Sequence, residues 1–137
     1  MARAEIAACA ADERGSSIVE GLLALALVVT VFAIGAEAVV FVEARTLATA
    51  AAQEGARSAA LGGESAGLAA ARAVLAAGGG LARGLSTSIA EQGATVTAVV
   101  EGPAPALFHV GILLPAIRSA ATMPRELYPA GEQRTGP

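Results

Sequence analysis

Sixteen consecutive residues, Gly21 to Ala36 (GLLALALVVTVFAIGA), carry no charge. After Glu37 the apolar run resumes and reaches Val42 before Glu43 and Arg45 close it. Taken as one helix, Gly21 to Val42 extends about 33 Å at about 1.5 Å per residue, enough to cross a bilayer. The competing reading is a core helix of a soluble domain, and composition argues against it. The chain has 137 residues, no tryptophan, one tyrosine and three phenylalanines, and 36 of its residues are alanine. Too few large side chains remain to surround such a helix, and a chain of this length supports one small core. The reading is therefore a membrane span. Glu37 lies about one turn from its outer end, where a carboxylate costs less than at mid-membrane.

Composition also excludes several function classes. Nine arginines, no lysine and twelve acids give a net charge of -3. They are thinly spread and form no basic face for a phosphate backbone, so no nucleic-acid partner is expected. Cys9 stands alone, which rules out an internal disulfide or a thiolate cluster within one chain. His109, between Phe108 and Val110, has no nucleophile or orienting acid at any suggestive spacing and reads as a structural or surface histidine. The acids are scattered singly, so no metal site is proposed. Gly78-Gly79-Gly80 lacks the lysine and spacing of a phosphate loop and reads as a flexible joint. Tyr128 reads as surface. The expectation is a non-enzyme with no cofactor, no metal and no small-molecule substrate.

Immediately before the span the chain reads Asp12-Glu13-Arg14-Gly15-Ser16-Ser17-Ile18-Val19-Glu20. Charges stop at Arg14, a glycine and a hydroxylated residue follow, and a glutamate stands five positions after the glycine. This resembles the processing site of type IV prepilins and pseudopilins. The resemblance implies cleavage between Gly15 and Ser16 by a prepilin peptidase facing the cytoplasm, with Glu20 as the fifth mature residue. The leader 1–15 departs from the pattern in holding three acids beside two arginines, where such leaders are usually basic. A conventional secretory signal is the alternative, because Ala36 and Ala38 form an A-x-A pair at the end of the apolar core. Cutting there would release a chain starting VVFVEAR, still apolar, and would leave Glu20 without a role. Positive-inside counting sets Arg3 and Arg14 against Arg45 and Arg57 and leaves orientation open.

Beyond the span, EARTLATAAAQEGARSAALGG is rich in alanine, the best helix former, and no proline occurs before Pro103. Leu47 and Ala48, Ala51 and Ala52, Gly55 and Ala56, and Ala59 and Ala60 recur every four residues and make one small-residue face. Arg45, Thr49, Gln53 and Arg57 fall elsewhere, and Glu54 and Arg57 are spaced for exposed pairing. Gly62-Gly63 is a stop signal. One helix is predicted from Ser17 to Leu61, with its small face suited to close packing.

The stretch Glu13 to Glu126 resembles the TadE family of the tight-adherence (Tad, Flp-type) pilus system, especially its actinobacterial members. The resemblance rests on ERGSSIVEGLLALA, on EARTLATAAAQEGARSAA, and on TVTAVVEG with IRSAATMPRE. Its most specific string is Ala51, Ala52, Gln53, Glu54, Gly55, Ala56 and Arg57. Gly21 departs from the large residue that often follows the glutamate, and Glu37 from a span that is often less acidic. The resemblance implies a pseudopilin-like single-pass membrane protein. Its partners would be a prepilin peptidase, other Tad components and the lipid bilayer, with the N-terminus in the cytoplasm and the C-terminal domain outside.

The expected fold is α+β, a long transmembrane and stem helix followed by short helices and a two- or three-stranded antiparallel sheet. The expected organisation is a leader 1–15, a transmembrane helix 16–43, an exported region 44–126 and a disordered tail 127–137. Within the exported region Glu64–Ala77 reads as a helix, with Leu68, Ala71, Leu75 and Arg72 along its faces. Leu81–Gln92 reads as a second short helix. Ala94–Val100 is the best strand, being rich in β-branched residues. Glu101–Ala106 is a turn or loop with Pro103 and Pro105. Leu107–Leu114 is an interrupted strand or a loop touching membrane or partner, and Ile117–Met123 is a strand returning antiparallel to 94–100.

Overall fold

The structure, a computed structural model, describes residues 2–108 and 114–125, with side chains from Ser17 onward. It is α+β, with α1 (Ala2–Gly62), α2 (Glu64–Ala77), a 3-10 turn (Gly79–Ala82), β1 (Ser86–Gln92), β2 (Thr95–Gly102) and β3 (Ile117–Pro124). Two compact units are present, Met1–Ala38 and Val39–Pro137.

The predicted start of α1 at Ser17 is corrected, because the helix is already formed at Ala2. Six alanines between Ala2 and Ala11, with no proline or glycine before Gly15, make residues 2–14 as helix-favouring as the stem. At the other end the stop falls where expected. Gly63 takes φ 81°, a conformation that suits glycine, and its N–H donates to the Ala59 carbonyl at 2.9 Å. Along the apolar part the large side chains face outward, and only 6% of the most apolar window is buried. Leu22, Leu23, Leu27, Val31 and Phe32 are all exposed. A core helix of a soluble protein would be covered. This one is a single apolar helix long enough to cross a membrane, and the protein is a small, single-pass membrane-anchored chain.

The second unit is built on the stem of α1. The chain turns at Gly63 and returns along the stem as α2, which buries Gly67, Ala71 and Leu75. The sheet follows in the order β1-β2-β3, antiparallel throughout. Ser86 pairs with Glu101 and Gln92 with Thr95 in the first hairpin, and Thr95 pairs with Pro124 and Gly102 with Ile117 in the second pairing. On β2 the alternation places Val96, Ala98 and Val100 in the core, all at 0% exposure. Side-chain ties reinforce the sheet. Thr97 and Thr122 share a hydrogen bond of 2.9 Å, and Arg125 pairs with Glu91 at 2.9 Å.

Strands 94–100 and 117–123 are found where expected, each within two residues. The helix expected over Leu81–Gln92 is not. That segment holds only the 3-10 turn and then β1, in which Thr87 and Ile89 are half-buried while Ser86, Ser88 and Ala90 are exposed. Period-two alternation and the tight Gly93-Ala94 turn, with Gly93 at φ 59°, override the helix propensity of its Ala, Glu and Gln. His109 and most of Leu107–Leu114 lie outside the described residues. So do Tyr128, the tail 127–137 and the side chain of Cys9.

Candidate functional site: the stem seam and the processing boundary

The string Ala51-Ala52-Gln53-Glu54-Gly55-Ala56-Arg57 occupies two turns of the stem, and the structure divides it by face. Ala51, Ala52, Gly55 and Ala56 are buried with Ala44, Ala48 and Ala59, whereas Gln53 and Arg57 are exposed and Glu54 is half-buried. The small residues are there because α2 and β2 approach closely. A Cβ added at Gly55 would lie 3.0 Å from the Ala71 Cβ and 3.5 Å from the Ala98 Cβ. The approach is tighter at its partner. A Cβ on Gly67 would sit 2.6 Å from the Gly55 carbonyl oxygen and 2.6 Å from the Ala59 Cβ. The two glycines face each other at a point of close contact between α1 and α2. The small-residue face predicted from the four-residue recurrence is therefore a packing seam within this chain.

Gly67 was not singled out in the sequence. The available signal was a glycine in the middle of an alanine-rich helix, a place where it costs about 1 kcal/mol relative to alanine and asks for a packing reason.

The polar members of the string look outward beside β3. Gln53, Glu54 and Arg57 border a hollow of about 700 Å³ that Ala120, Thr122 and Met123 close on the strand side. Glu54 accepts a hydrogen bond from the Ser58 hydroxyl at 3.4 Å. The expected Glu54–Arg57 pairing does not form. Ion pairs among the described residues join Arg118 to Glu101 and Arg125 to Glu91. One turn nearer the span, Thr49 and Ser119 share a hydrogen bond of 3.1 Å that ties stem to strand. The hollow offers one carboxylate, one guanidinium and one amide, with no imidazole or thiol. Among the described residues no group of three His, Cys, Asp or Glu side chains gathers to hold a metal.

The residues expected to form a processing boundary lie in the other unit. Gly15 and Ser16 fall inside α1, in continuous helix, and the Glu20 side chain is exposed at the start of the apolar run. Glu37 is 4% exposed, in contrast to the exposed large apolar side chains that precede it. Gly15, Ser16 and Glu20 belong to a separate unit from the Ala51–Arg57 string, 31 residues apart at their nearest, between Glu20 and Ala51.

No family model, no curated protein and no solved structure matches this chain.

Proposed function

We propose that the protein is a TadE-like pseudopilin, a non-catalytic single-pass component of a Tad-type pilus assembly or secretion machine. A prepilin peptidase processes it after Gly15. The carrying observation is the architecture that follows the Gly15–Glu20 boundary. One helix runs from that boundary through an apolar segment into a stem, and the stem's small-residue face seats a small antiparallel sheet. An anchor that continues without a break into the core of its domain suits a subunit that is delivered laterally from the membrane to an assembly. The partners are the peptidase, other pilus components and the bilayer. The domain lies outside the cytoplasm.

The experiment is genetic. Deleting the gene should abolish pili, and the wild-type gene should restore them. A deletion strain with normal pilus numbers would refute the assignment.

A second reading has one observation in its favour. The compact second unit begins at Val39, the residue that signal peptidase would expose by cutting after Ala38. On that reading the protein is a small secreted domain, and its mature N-terminus separates it from the first.

A further inference from the structure

The second unit has two chemically distinct ends. The stem fixes their direction, because Val39–Val42, the last turn of the apolar run, belongs to this same unit. Phe41 there packs against the cluster containing Ala44, Val100 and Ile117. The end of the domain near Phe41 is therefore the end where the span leaves hydrocarbon.

Three features of the chain meet that end. α2 runs back along the stem and finishes there, and a Cβ on Gly78 would collide with the Leu47 side chain. The 3-10 turn Gly79–Ala82 follows and carries Leu81. β2 also finishes there, and the pairing of Gly102 with Ile117 places both ends of the long β2–β3 connection at this level. Between Glu101 and Arg118 the sequence holds no acid and no arginine, and the described part of the connection presents Leu107 at 52% and Phe108 at 53% exposure. At the same level lies a mostly apolar hollow of about 410 Å³ walled by Val42, Glu43, Thr46, Leu47, Gly78 and Leu81. The opposite end of the unit is polar. It consists of the Gly62-Gly63-Glu64 turn, the Glu91-Gln92-Gly93-Ala94 hairpin tip and Arg125.

We infer that the base of the domain, formed by Leu107 and Phe108 of the β2–β3 connection with Leu81 of the 3-10 turn, is a second membrane-contact surface that seats in the headgroup–acyl boundary of the leaflet where the span emerges. The occupant is lipid because both ends of the connection that carries the patch lie at the level of Phe41, where the apolar run ends, so the connection is held at the bilayer surface whether or not any protein partner is present. Exposed large apolar side chains there lose their contact with water by entering the interface, as the apolar faces of interfacial segments do. Such seating fixes the domain against the bilayer by two attachments, the helix and the base, and restricts its tilt. The inference rests on the span and is independent of the pilus assignment.

The chain has no tryptophan, so single substitutions report one site each. Full-length protein carrying Phe108→Trp is reconstituted in phosphatidylcholine–phosphatidylglycerol vesicles, with Gln92→Trp at the polar tip and Phe32→Trp in the span as references. Emission from the position 108 variant should be blue-shifted and should be lost when lipids brominated near the headgroup end of the acyl chain are included. The Gln92→Trp emission should stay unshifted and unquenched, while Phe32→Trp should be quenched best by deeply brominated lipid. Unshifted, unquenched emission from the position 108 variant overturns the inference. A blue shift without lipid quenching also overturns it, because the side chain is then covered by protein, from this copy or another. Loss of quenching at Phe32→Trp as well removes the span itself and the inference with it. A normal N-terminus or pilus phenotype has no bearing on any of these outcomes.

Discussion

At the scale of single residues, the seam between α1 and α2 is set by Gly55 and Gly67. Adding side-chain carbon at Gly67 drives it into the Gly55 carbonyl, a backbone atom that cannot rotate away. Gly67→Val should therefore cost about 1–3 kcal/mol by overpacking, a fall in Tm of roughly 5–15 °C for a domain of this size. Gly80→Ala is the control, since a Cβ there meets nothing within 4 Å, and it should change stability by no more than about 0.5 kcal/mol. Thermal unfolding of the full-length protein in detergent reads both. Equal Tm values for the two variants would show that the helices do not approach as described. Glu20 makes a different demand. If cleavage after Gly15 frees an amine at Ser16, a carboxylate at the hydrocarbon edge offsets the cost of placing that positive charge there, within one chain or between neighbours. Glu20→Gln should still be cut after Gly15, as an immunoblot would show, but should fail to restore pili to a strain lacking the gene. Normal pili on Glu20→Gln cells would leave Glu20 no role beyond capping the interfacial end of the helix.

At the scale of elements, the stem of α1 supplies much of the core, and it supplies mainly methyl groups. The largest fully buried side chains are Ile117, Val96 and Val100, all on the sheet, while the helix contributes Ala44, Ala48, Ala51, Ala52, Ala56 and Ala59. Each buried methyl contributes about 0.8 kcal/mol, so close approach has to compensate for small side chains. A fragment comprising 44–137 should consequently be marginal by itself, with a broad, low-temperature transition by circular dichroism; a sharp, high-temperature transition in dilute buffer would contradict this. The same element explains what was legible in the sequence. The four-residue recurrence of small residues located the buried face of the stem, and the glycine pair at 62–63 located its end. β-branched residues located β2 and β3, including their antiparallel return. β1 was missed because Ser86–Gln92 has few apolar residues and sits at a sheet edge, so its hydrophobic alternation reduces to half-buried Thr87 and Ile89. Gly93, which permits the turn, was the stronger signal. The start of α1 was missed for the opposite reason, since local propensity carries the helix from Ala2 through Gly15 without a conformational break. Among candidate site residues, the Ala51–Arg57 string was legible as a pattern. Its meaning as a seam needed Gly67, whose partner lies across a turn and leaves no periodic mark.

At the scale of the whole molecule, one uninterrupted helix carries both the apolar anchor and the stem, and a small sheet packs on the stem. The apolar helix establishes a single membrane-anchored chain, and the proposed orientation puts everything after Glu43 on the outer side. A reporter fused after Glu126 should then be active only in its exported form, and activity in the cytoplasm would reverse the orientation. The exposed ion pairs, Arg118–Glu101 at 3.8 Å and Arg125–Glu91, contribute little to holding this arrangement, about 0–1 kcal/mol each at the surface. On the proposed processing after Gly15, Gly15→Ala should block the cut, because a side chain there would crowd the peptidase's access. The substitution also strengthens the helix there by about 1 kcal/mol. Cells would accumulate full-length precursor on an immunoblot, whereas normal maturation of Gly15→Ala would place the cut elsewhere. The most direct test is the mature N-terminus, determined by mass spectrometry on protein purified from membranes with and without the prepilin peptidase. The account predicts a chain beginning at Ser16 when the peptidase is present and an unprocessed leader when it is absent. A chain beginning at Val39, or one unchanged by loss of the peptidase, would contradict it.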